Sequence, residues 1–304
     1  MMLRQTVYLV FSLVFLACAC MSCSESSGSS DPGPDIPAED SPLSGTWVGY
    51  FLAGDDDIYD PNDTSAITYD SDDIFVIGII TLEREARFIS DKSMFVCPEG
   101  EFTVVDVDAV RKLFGGDLLY YVWDTFGADG SDDYVATVSN KTIYGDAFLT
   151  NYFLQGLYWD AGTEDTYWPF EVYNYNTTGV LPDIEELDGE WVMQNAFKKG
   201  NTLTFTIAKT SESTASIRGE DSTPFGTKNT FDGTITIHYD EENPNNVIFD
   251  LYLCMNDLID LNGLATYIES MDFAGIDPIE RTLAIGVTDT TTHLLTGFAK
   301  SVPE

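Results

Sequence analysis

Past residue 43 the chain is written in short alternating stretches. Thr202-Leu203-Thr204-Phe205-Thr206-Ile207 and Gly233-Thr234-Ile235-Thr236-Ile237-His238-Tyr239 place an apolar residue at every second position, the period of a half-buried strand. Val247–Leu253, Leu283–Val287 and Leu295–Lys300 read the same way, and Phe75–Leu82 is a compact apolar run rich in β-branched residues. Turn-forming clusters such as Glu242-Asn243-Pro244-Asn245-Asn246 separate the stretches. Many short strands with frequent turns predict a sandwich or a barrel. Two segments depart from the pattern. Asp106–Phe114 and Asn256–Met271 have helix-like apolar spacing, and each is expected to form a short helix capping a barrel end.

The first residues follow a different rule. Arg4 precedes an apolar run from Val7 to Met21, and Cys23-Ser24-Glu25-Ser26-Ser27 ends it. A run this short, behind one basic residue and closed by small residues, is a secretory signal rather than a membrane span. With its cysteines it resembles a bacterial lipoprotein signal, in which cleavage precedes a cysteine that is then acylated. The polar tract begins at once after Cys23, which makes Cys23 the expected lipidation site, with Cys20 as the alternative. Residues 1–22 are then the signal. Residues 23–42, rich in Ser, Pro, Asp and Glu, form a flexible acidic tether. The acidic start of the tether resembles the export signal of Bacteroidetes surface lipoproteins. The resemblance implies an outer-membrane lipid anchor, facing periplasm or cell surface.

One phrase occurs twice: Leu43-Ser44-Gly45-Thr46-Trp47-Val48 returns as Leu187-Asp188-Gly189-Glu190-Trp191-Val192, each after a turn-rich connector. The repeat divides the chain into units 43–180 and 187–304. Glycine lets the chain turn sharply into a strand, and an indole is large enough to plug one end of a closed sheet. The Gly-x-Trp of Gly45 and Trp47, and of Gly189 and Trp191, resembles the first motif of the lipocalin and wider calycin group. Asp133-Tyr134 partly matches a second lipocalin turn, with Asp132 in place of its threonine. The resemblance implies an all-β fold of two antiparallel calycin-like barrels in tandem; two β-sandwich domains are the alternative.

Charge narrows the partners. The net charge is −37, which excludes nonspecific binding to nucleic acid phosphates and disfavours anionic lipid headgroups. The excess is heavier in the first unit: residues 24–186 carry 6 basic and 33 acidic groups, residues 187–304 carry 7 and 18. After the signal only Cys97 and Cys254 remain, as a possible pair or as two free thiols. No zinc or redox cysteine spacing is present, so no metal or cofactor is expected.

The acidic runs Asp55–Asp63, Asp70–Asp73 and Asp129–Asp133 lack calcium-loop spacing and read as solvated loops. The densest aromatic stretch is Tyr152–Tyr175. Phe170 and Val172 fit a packed strand, whereas Trp159 and Trp168, with Tyr158 and Tyr167, flank the polar loop 160–167 and are the candidate ligand-binding residues. Flat rings stack on sugar faces or line apolar pockets, and Asp160, Glu164 and Asp165 can accept bonds from hydroxyls. His238, on an alternating strand, and His293, in a Thr-rich turn, suit structural roles better than catalysis. No hydrolase or phosphate-binding motif is present, so catalytic residues are not assigned and an enzyme is not the favoured reading. The expected function is a lipid-anchored cell-envelope binding protein for a small apolar molecule or a glycan. A structural or adhesin subunit of a surface assembly is the alternative, and a glycan hydrolase a distant third.

Overall fold

The structure is a computed structural model, and it describes residues 43–52, 73–123, 134–149, 153–162, 167–175, 184–195, 201–221, 228–238, 248–271 and 279–302. Nine strands precede a short 3-10 turn at Ile184–Leu187: β1 (Gly45–Phe51), β2 (Ile74–Ile80), β3 (Ala86–Ile89), β4 (Ser93–Cys97), β5 (Thr103–Asp106), β6 (Arg111–Trp123), β7 (Ala136–Phe148), β8 (Phe153–Asp160) and β9 (Trp168–Asn174). Eight follow it: β10 (Gly189–Asn195), β11 (Asn201–Lys209), β12 (Thr214–Asp221), β13 (Thr230–Ile237), β14 (Ile248–Met255), β15 (Ile259–Met271), β16 (Ile279–Thr288) and β17 (Leu294–Ser301).

Both sets close. In the first, β1 pairs with β2 and β9, and β4 pairs with β6, so eight strands form an antiparallel barrel; β5 continues the β4 edge of β6 beyond a loop. In the second, β10 pairs with β11 and β17 and all eight strands close antiparallel. The protein is therefore all-β, with two closed eight-stranded barrels in tandem, an architecture compatible with a calycin-like fold. Both barrels lie in one compact unit, Asp40–Glu304.

The repeated phrase builds the same corner twice. Gly45 and Gly189 have φ of 142° and 127°, a region that side chains disfavour. Each following indole turns inward and donates to the carbonyl four residues back: Trp47 Nε1 to Leu43 O at 3.0 Å, Trp191 Nε1 to Leu187 O at 2.7 Å. All four residues are buried, so each floor hides its polar atoms within one turn of chain.

The first interior is aromatic. Phe51 stacks on Phe95 (4.5 Å between centroids) and Phe170 (5.1 Å), and Phe88, Phe102 and Phe114 fill the space around them. The second is mainly aliphatic, with Phe205, Phe231 and Phe249 among Leu, Ile and Met. On strands facing water, outward positions such as Thr202, Thr204, Thr206, Arg218 and Asp250 are polar. Apolar residues inside and polar outside is the reverse of a barrel that crosses a bilayer.

Where the barrels meet, both faces of the sheet are buried. Val48, Ile77, Ile79, Ile89, Met94 and Val96 on the outside of barrel 1 share one core cluster with Leu264, Ile268, Ala284 and Leu294 of barrel 2. Polar links cross the seam: Thr46 Oγ1 meets Thr266 Oγ1 at 2.7 Å, and Thr296 Oγ1 donates to Ser90 O at 3.0 Å. Double burial explains why Phe75–Leu82 reads as a continuous apolar run rather than an alternation.

The two expected helices are strands and turns. Within Asp106–Phe114, residues 107–110 turn from β5 into β6, and Asp108 Oδ1 accepts the backbone N–H of Val110 and of Arg111. Asn256 and Asp257, at φ 55° and 57°, turn into the thirteen residues of β15. Leu264–Ile268 is buried on both faces, which destroys the period of two and leaves an accidental helical spacing.

Candidate functional site

Each barrel has a floor beside its tryptophan and an opposite end. The far end of barrel 2 is sealed from outside itself. Tyr134, at φ 68° just before β7, is 1% exposed and packs edge-on against Phe231 at 5.3 Å. Its hydroxyl donates to Asp221 Oδ2 at 3.2 Å. Asp221, itself buried, also accepts from Asn229 Nδ2 at 2.8 Å and Asn229 N at 3.0 Å, and Asn256 Nδ2 donates to Asn229 Oδ1 at 2.7 Å. A bridge between Val135 and His293, with Leu294 N donating to Tyr134 O at 2.9 Å, holds the plug in place. The partial lipocalin turn of the sequence thus contributes Tyr134 to the other barrel; Asp132 and Asp133 lie outside the described residues.

The far end of barrel 1 is built differently. Lys141 shares the inward face of β7 with Ile143 and Ala147, yet carries a charge; it is 8% exposed. Its ammonium lies 4.7 Å from the centre of the Trp168 ring and 5.3 Å from that of Tyr120, and pairs with Asp160 Oδ1 at 2.6 Å. Two aromatic faces and a carboxylate compensate a cation that a bare apolar barrel would exclude. Tyr158 stands beside Trp168 at 5.4 Å, and its hydroxyl donates to Leu52 O at 3.3 Å. Burial pushes its phenol well above the ordinary value, so it stays a donor. Tyr120 stacks on Phe95 at 4.2 Å and joins this mouth to the aromatic interior.

The four candidate residues therefore separate into two pairs. Trp168 meets Lys141 and Asp160 at the mouth, and Tyr158, buried against Phe51 and Phe95, lies beneath Trp168. Trp159 and Tyr167 meet each other at 5.4 Å on the outward side, and Tyr167 is exposed. Phe170 and Val172 are core, as their alternation suggests. Sequence reasoning missed Lys141 and Tyr120. The signal was there for Lys141, because a charge on the apolar face of an alternating strand needs a partner. Asp73 apart, the three acidic runs lie outside the described residues. No group able to hold a metal is found among the described residues.

The remaining reactive groups have structural settings. Both cysteines are free; Cys97 is buried in barrel 1, where burial pushes its thiol up to about 12, and Cys254 lies on β14. His238 joins the barrels: Nδ1 contacts Asp250 Oδ1 at 3.0 Å and Nε2 contacts Glu83 Oε2 at 3.2 Å. The Asp250 hydrogen bond raises its pKa to about 9 against the opposing effect of burial. Asp289 accepts the N–H groups of Thr291, Thr292 and His293 and holds the turn that meets Val135; these bonds lower its pKa despite partial burial. Comparison of the chain with known protein families, curated proteins and solved structures finds no match.

Proposed function

We propose that this chain is a non-catalytic binding protein of the bacterial cell envelope, tethered by a lipid on Cys23, and that the mouth of barrel 1 recognises a glycan. The calycin-like resemblance and the signal motivate the setting. The observation that carries the ligand class is the Tyr158–Trp168 pair beside Lys141 and Asp160. The partly buried Trp168 ring, backed by the buried Tyr158, takes the apolar face of a sugar, while an ammonium and a carboxylate bond its hydroxyls. The mutually packed interior side chains disfavour an apolar ligand inside either barrel.

Electrophoresis through gels containing neutral polysaccharides tests this reading. The wild-type protein is expected to be retarded on at least one, and Trp168→Ala to run at the control rate. Unretarded migration on every polysaccharide, together with uptake of a fluorescent fatty acid, would overturn it in favour of an apolar carrier.

One observation favours the second reading, a subunit of a surface assembly. The β5–β6 hairpin exposes Val105, Val107 and Val110, and among the described residues β5 pairs on one side only. Concentration-dependent self-association that Val105→Lys abolishes would support it.

A further inference from the structure

A groove of about 300 Å³ opens where β3 of barrel 1 meets β13–β15 of barrel 2. It shares no residue with the mouth. Ligand sites span roughly 300–1,000 Å³, so the groove is at the small end. Its centre is Arg87, 8% exposed. The guanidinium crosses the seam: Nη1 donates to Gly286 O at 3.0 Å and Nε to Glu85 Oε1 at 2.5 Å. Glycine makes the approach possible, since a methyl group on Gly263 would lie 2.4 Å from Nη1.

The wall offers unused polar atoms of both kinds. Nη2 of Arg87, Oε2 of Glu85, Oδ2 of Asp250 and the hydroxyls of Thr234 and Thr236 have no partner among the described residues. Asp250 is held through its other oxygen by His238, which Glu83 holds from barrel 1. Tyr252 gives an exposed ring fixed by its hydroxyl bond to Asp260 Oδ1 at 2.7 Å.

We infer that this groove is a second binding site, and that its ligand is a single neutral sugar residue. Carboxylates that accept, a guanidinium that donates, hydroxyls that do both and one flat ring together match a polyol with an apolar face. Two lining carboxylates against one guanidinium oppose an anion. The polar wall opposes a purely apolar ligand. The inference does not rest on the mouth of barrel 1.

Saturation-transfer NMR on the whole protein tests it, with the methyl glycosides of glucose, galactose, mannose and N-acetylglucosamine as probes. Thr234 stands exposed on the groove wall, so Thr234→Trp fills the groove from its solvent side. With the mouth disabled by Trp168→Ala, transfer to at least one glycoside is still expected, and none once Thr234→Trp is added to that variant. Tyr252→Ala is the second variant should the first fail to fold, and is expected to weaken binding about tenfold, the loss of one ring–sugar contact. Transfer that Trp168→Ala alone abolishes, or that persists undiminished in Trp168→Ala when Thr234→Trp or Tyr252→Ala is added, overturns the inference, as does the absence of transfer to all four probes. The mouth reading stands or falls separately, on polysaccharide retardation.

Discussion

The two barrels begin alike and finish differently. Each opens with a left-handed glycine, an inward indole and a bond to the carbonyl four residues back. At the far end, barrel 2 receives Tyr134 from the neighbouring barrel and holds beneath it a network of the buried Asp221 and Asn229 with the half-buried Asn256. Barrel 1 has no such plug among the described residues and instead gathers Lys141, Asp160 and Trp168 at its rim, with Tyr158 beneath. The shared phrase builds the two floors, and the far ends differ: barrel 2 is closed by a residue of its neighbour, whereas barrel 1 carries a charged, aromatic rim.

Removing what is shared should have the largest and most equal effect. Trp47→Ala and Trp191→Ala each leave a cavity and an orphaned carbonyl, and each is expected to cost about 3–5 kcal/mol in denaturant unfolding. A cost confined to one of them would break the symmetry of the floors. Tyr134→Ala comes next, at about 3 kcal/mol, with hydrogen exchange accelerating first in barrel 2 although the residue belongs to barrel 1. Tyr134→Phe keeps the ring, and Asp221 keeps its asparagine, so its cost should be only about 1 kcal/mol. Trp168→Ala should also cost only about 1 kcal/mol, since the ring is only partly buried, yet it should abolish glycan retention.

The smallest effect concerns the seam. His238 has its pKa raised to about 9, so its ion pairs stabilise fully below the unfolded value near 6.5 and fade as pH rises through 9. Both carboxylate partners are about half exposed, which limits the loss to about 1 kcal/mol. Thermal melts between pH 6 and pH 10 should show this decline in wild type and a weaker one in His238→Gln.

The strands that face water on one side were legible, because burying one face leaves the alternation of Thr202–Ile207 or Gly233–Ile237 intact. The seam was not, because a strand buried on both faces loses that period, as β15 does between Leu264 and Ile268. The same contact hid the role of Tyr134, whose partners Asp221 and Phe231 lie about a hundred residues away. The aromatic content of the mouth was visible in Tyr158 and Trp168. Its electrostatic content was only half visible: Lys141 stands out as a charge on the apolar face of β7, but its partner Asp160 is fixed only by the β7–β8 pairing.

The most direct test is hydrogen-exchange mass spectrometry of the whole protein, with and without a polysaccharide that retards it. The account predicts slower exchange in peptides covering β8, β9 and the Lys141 region of β7, with the peptides around Asp221 and Asn229 unchanged. Protection at the Tyr134–Asp221 end that leaves residues 153–175 unchanged would contradict it.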